Sequence, residues 1–213
     1  MALALTVTGC GSGAGTESGV DSGSSSGAEA VADVSAESGT ESGGGSGSSE
    51  GLPAYVYEGD AETAAICDYL TNVVAKDCPE ADVSIPYMRI VDRDESDPED
   101  TVVRGDFWVM NYNLEGDVLE MDSGGDYPGA MHLEKNSDGS FTVTDFDAVG
   151  DGSLFEPSAR RIFGDKYDEF MAAQSDRDTM EEIRADFIRD YVKANGLNIT
   201  AYKDYGWDPI KLR

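Results

Sequence analysis

The 213 residues contain one histidine, so any imidazole acid–base chemistry must pass through His132. Alternation puts His132 and Glu134 on one strand face and Met131 and Leu133 on the other. If the strand Val118–Ser123 pairs with that segment, Glu120 and Asp122 share the histidine's face. A histidine among carboxylates is suited to proton transfer or to ligating a metal, although a solvated polar sheet face gives the same pattern. No nucleophile stands at a spacing that would complete a catalytic site, so no catalytic residue is assigned. Trp108 and Tyr112 lie in an apolar strand, and Tyr127 lies in the glycine-rich run 123–129. Such rings stack on a sugar, line a pocket or fill a core. The candidate ligand site is therefore Trp108, Tyr112, Tyr127, His132, Glu120 and Asp122.

Asp145, Asp147, Asp151 and Glu156 fall close to the spacing of an EF-hand loop, with Gly150 sixth and Glu156 twelfth. Val149 takes the fifth position, where a side-chain oxygen belongs, so these four are a weak calcium candidate and no metal centre is assigned. In an exported chain Cys67 and Cys78 are candidates for a disulfide worth about 3 kcal/mol by loop entropy. A helix continuing to Lys76 would carry the chain roughly 13 Å past Cys67, which leaves two free thiols as the alternative. No nucleotide loop, CxxC or HExxH is present, and no cofactor is implied.

The chain carries 43 acidic against 15 basic residues, a formal net charge of −28. That charge repels phosphate backbones, which excludes nucleic acid as a partner, and it opposes electrostatic adhesion to anionic headgroups. No apolar run reaches the roughly 18 residues of a spanning helix. Cations, basic surfaces and neutral glycans are the ligand classes left.

The segment Leu3-Ala4-Leu5-Thr6-Val7-Thr8-Gly9-Cys10 is apolar, then small, then a cysteine followed by Gly11-Ser12. Val7-Thr8-Gly9-Cys10 resembles the lipobox of bacterial lipoproteins. The resemblance implies cleavage before Cys10, a diacylglycerol on its sulfur, and a protein held by that lipid on the extracytoplasmic face of the cell membrane. Residues 1–10 read as a partial signal peptide. Residues 11–52 are a Gly/Ser/Glu-rich tether with too little apolar surface to offset ordering entropy, and a chain of that composition spans on the order of 35 Å.

Residues 53–213 hold the large apolar side chains and read as one globular domain. Asp60 is a helix N-cap ahead of Ile66, Leu70, Val73 and Val74, with the helix ending near Lys76. Val83, Ile85 and Tyr87 alternate around Pro86 as an edge strand, and 92–100 reads as an acidic loop. A long strand follows over Val102–Leu114, then Val118–Ser123, a loop at 124–129, a strand at Met131, and an Asp138-Gly139 hairpin into Phe141–Val149. Helical spacing returns after Pro157, broken at Gly164, and is strongest through Met180, Ile183, Phe187, Ile188, Tyr191 and Val192, with Asn195-Gly196 as the stop.

The order implies an α+β fold: a curved antiparallel sheet of about four to five strands, with the N-terminal helix and the C-terminal helices packed on one face. The element order resembles cystatin-like or NTF2-like folds, an analogy that implies a cup and no chemistry. The missing catalytic signatures favour a non-catalytic domain that binds an extracellular ligand or protein. The alternative is an envelope hydrolase or isomerase using His132 and a neighbouring carboxylate.

Overall fold

The computed structural model describes residues 51–212; Cys10 and the tether lie outside the described residues. Helix α1 (Ala61–Tyr69) starts where the sequence places it, because the Asp60 carboxylate accepts the Thr63 N–H at 2.8 Å. It runs on through a π turn at Leu70–Val74 and a 3-10 turn at Ala75–Asp77.

Seven strands among the described residues form one mostly antiparallel sheet: β1 Val83–Asp97, β2 Asp100–Glu115, β3 Val118–Asp126, β4 Gly129–Lys135, β5 Phe141–Ala148, β6 Ala201–Lys203 and β7 Ile210–Lys211. The long strand β2 organises all of it. One of its edges pairs along its length with β1, and the other pairs with β4 over Thr101–Gly105 and with β3 over Trp108–Glu115. Strands β3 and β4 are thus consecutive stretches of one line beside β2. The Tyr127 N–H bonds the Phe107 carbonyl at 2.7 Å and carries that line across the break. Strand β5 extends one end of the sheet beside β4, and β6 with β7 extends the other beside β3.

Several expectations change here: the sheet has seven strands where four to five are expected, and the N-terminal helix packs on the face opposite the C-terminal helices instead of beside them. The acidic stretch 92–100 is not a loop: β1 continues to Asp97 and turns within Pro98-Glu99, the Asp97↔Asp100 pair closing the hairpin. Nor does the glycine run reverse the chain. A Cβ on Gly124 would stand 2.7 Å from the Val109 carbonyl oxygen and 2.3 Å from the Met110 sulfur, so glycine lets β3 press against β2 where a side chain could not. The glycines serve close approach, and the pairing of Val118–Ser123 with the His132 strand is not made.

Both faces of β2 are covered. Val103, Phe107 and Val109 meet Ile66, Cys67 and Leu70 of the α1 region. Met110 and Tyr112, on the opposite face, meet Met180, Ile188 and Tyr191 of α4 (Arg177–Ala194). Further along that second face, Val102 and Ala130 pack against Ala159, Ile162, Phe163 and Phe170. These belong to α2 (Phe155–Phe163) and α3 (Tyr167–Ser175). Helices α2, α3 and α4 therefore share one face, and α1 takes the other. Gly164 at φ +55° breaks α2 from α3, a conformation costly for any residue with a Cβ. Buried Asn111 crosses three strands, accepting from Ser84 at 2.6 Å and donating to Ser123 at 3.0 Å.

Candidate functional site

The residues 52–57 before α1 place Leu52 and Tyr55 against the α4-side core and Tyr55 and Tyr57 against the α1-side core. Tyr191 fixes the arm by donating to the Pro53 carbonyl at 2.7 Å. Its rings lie flat on α4: Tyr55 on Tyr191 at 6.0 Å, and Tyr57 on Phe187 at 5.9 Å. Between the arm, α1 and the start of β5 opens a cleft of 540 Å³ lined by Tyr55, Tyr57, Ala65, Tyr69, Phe141 and Val143. On the arm's other side a groove of 360 Å³ runs along Asp190, Tyr191 and Lys193. Val56, 68% exposed, and Val73, 43% exposed, leave apolar surface at the cleft mouth.

The cleft's chemistry is contact and hydrogen bonding. Its thiol, Cys67, is a free, buried cysteine whose pKa is pushed up to about 12, chiefly by burial and against a hydrogen bond from Tyr55. A thiol held protonated is a poor nucleophile. Burial likewise raises the Tyr55 pKa, so its hydroxyl stays a neutral donor and acceptor.

The Cys67–Cys78 bridge is not made. Cys78 is disulfide-bonded, whereas Cys67 faces the core from α1 as a free thiol.

The six residues of the sequence-derived ligand site are dispersed. Tyr112 is fully buried on the α4 face, and Tyr127 is buried in the α1-side core, so the two rings are on opposite sides of the sheet. Trp108 stacks on Tyr87 at 5.7 Å. Glu120 lies opposite Asn113 and His132 opposite Val102, some eleven residues apart along β2, or roughly 35 Å at strand rise. Glu120 instead pairs with Lys203 at 2.9 Å. Asp122 is the residue skipped at the β3 bulge and is exposed. The carboxylate that does meet His132 is Asp100, with Nδ1 and Oδ2 2.8 Å apart. This pair lines neither the cleft nor the groove.

The calcium candidates are also separated. Asp147 is held by two hydrogen bonds from Arg161 at 2.5 and 2.9 Å, and Glu156 by Arg160 at 2.9 Å. Asp145 accepts the Phe146 N–H at 2.9 Å. Among the described residues no three acidic, histidine or cysteine side chains are grouped to hold a metal ion. A strand running into a 3-10 turn does not curl its carboxylates inward as a helix–loop–helix does.

Sequence reasoning missed the residues that line the cleft. The signal was present as Tyr55, Val56 and Tyr57 ahead of a helix cap, but only the fold shows that Phe141 and Val143 form the facing wall. No protein-family model, curated protein or solved structure matches the chain.

Proposed function

We propose that the chain is a lipid-anchored protein of the extracytoplasmic membrane face, and that its folded domain is a binding module with the aromatic cleft as its ligand seat. The observation that carries the binding reading is the cleft of 540 Å³ walled by three tyrosines and a phenylalanine. Its volume lies within the about 300–1,000 Å³ of small-ligand sites. The lipobox-like Val7-Thr8-Gly9-Cys10 supports the anchor.

The cleft favours an apolar or aromatic group. Asp68 at its edge and Asp190 in the neighbouring groove, within a chain of net charge −28, favour a neutral or basic setting around that group. An extended peptide segment with one apolar anchor side chain has this chemistry. A thermal-melt screen of the full chain carrying Cys10→Ser, against neutral, basic and acidic peptides and simple glycans, tests it. The expected outcome is an upward shift with apolar-basic peptides that Tyr57→Ala abolishes. Shifts insensitive to Tyr57→Ala and Val143→Asp, or none at all, would sink the assignment of the cleft.

The anchor has a separate test. A free thiol or a disulfide at Cys10 is chemically incompatible with the lipid. Mass spectrometry of the Cys10 peptide without reduction separates a thioether-linked diacylglycerol from a disulfide. The anchor reading requires the former.

A further inference from the structure

Asp106 is 1% exposed, and neither of its carboxylate oxygens meets a hydrogen-bond donor among the described residues. It stands mid-strand in β2, on the face that carries α2, α3 and α4. Asp126, at the end of β3, lies opposite Trp108 in the strand register and so on the same face, diagonal to Asp106. From that diagonal position the Asp106 carboxyl acts on Asp126 and raises its pKa. From α3, the Gln174 amide donates to Asp126 Oδ2 at 3.3 Å.

The cations that could neutralise this pair are committed elsewhere. Arg89 of β1 stands directly across from Asp106, but it bonds Asp176 at 3.1 Å and the Ala173 carbonyl at 3.3 Å. Arg104, two residues before Asp106, bonds Asp92 at 2.7 Å and the Ile162 carbonyl at 3.0 Å. Asp151, ahead of α2, adds a further negative field acting on Asp126. Two ionised carboxylates in contact, one of them buried, repel strongly and lack a compensating charge. A carboxylic acid donating to a carboxylate removes one charge and supplies the missing donor.

We propose that Asp106 and Asp126 share one proton, forming an acid clasp that binds β2 to β3 and, through Gln174, to α3. It is a proton-binding site, independent of the aromatic cleft. The Asp126 pKa is raised, by desolvation first and by Asp106 and Asp151 next. Part of Asp126 reaches solvent, so the neighbouring carboxyls are the firmer cause. The folded chain therefore holds a proton that the unfolded chain has released above 3.8. More protons bound in the folded state means that stability falls as pH rises from that value through the neutral range.

The test is infrared difference spectroscopy of the full chain at pH 7, with Asp106→Asn and Asp126→Asn as references. The wild type should show the carbonyl stretch of one protonated carboxyl, and both variants should lose it. Its melting temperature should fall between about pH 5 and about pH 8, and that fall should be largely lost in Asp126→Asn. Because Asp126 is at the surface, this variant folds even if Asp106→Asn does not. Absence of the carboxyl stretch at pH 7 would overturn the clasp. So would a wild type in which calcium alone abolishes the stretch and raises the melting temperature, since the pair would then be a cation site.

Discussion

Among the described residues two charged side chains are buried on the sheet face that carries α2, α3 and α4, and they are treated oppositely. Arg184 of α4 is 3% exposed and is surrounded by partners. It donates to the Tyr112 hydroxyl at 2.8 Å and to Asp204 at 2.6 Å, and it stacks over the Tyr202 ring at 4.8 Å. Tyr202 in turn donates to Glu181, which also lies near Arg184. Asp106, on the same face of β2, is as deeply buried, and no described donor reaches either of its carboxylate oxygens. A buried charge is tolerated when its hydrogen bonds are filled. Where they are not, a proton is the least demanding counter-ion, and the difference makes one end of this face structural and the other sensitive to pH.

The largest effect is expected at the satisfied end. Arg184→Met should cost about 3 kcal/mol in urea unfolding, because it strands Asp204 and the Tyr112 hydroxyl, tempered by the part of Asp204 that reaches water. At the other end, Asp106→Asn should be neutral near pH 5 and stabilising by about 1–2 kcal/mol near pH 8, where the folded wild type still holds a proton that the unfolded chain has released. The sign is the informative part: removing a buried charge helps at one end of the sheet and harms at the other.

Smaller substitutions sharpen the contrast. Tyr112→Phe deletes one neutral acceptor from the Arg184 network and leaves its ring, so about 1 kcal/mol should be lost in the same unfolding assay. Arg161→Ala removes the two-bonded partner of Asp147, but the arginine side chain is 60% exposed, and solvent screening should hold the loss to a few tenths of a kcal/mol. A loss for Arg161→Ala as large as that for Arg184→Met would mean that burial is not what separates these ion pairs.

Much of the fold was legible. The Met180–Val192 stripe, the Asp60 cap, the Gly164 break and the Asp138-Gly139 hairpin are local signals, and each produced the element expected. The site was far less legible. His132, Glu120 and Asp122 share a face only if consecutive strands form a hairpin. Instead β3 and β4 lie end to end along β2, and nothing local to Gly124–Pro128 distinguishes a turn from a continued strand. Asp106 carried a faint signal: an acid between Gly105 and Phe107 in a strand apolar on both faces is out of place on either side.

Charge class, tether composition, the helices and most strand cores follow from the residues alone, because periodicity, capping and hydrophobicity act over a few residues. Tertiary packing set which strands met, that Cys67 faces the core instead of Cys78, that an N-terminal arm walls a cleft against β5, and that Asp126 lies diagonal to the buried Asp106. Those depend on the register along β2 and on which face each helix covers, quantities set by the packing of segments far apart in the chain.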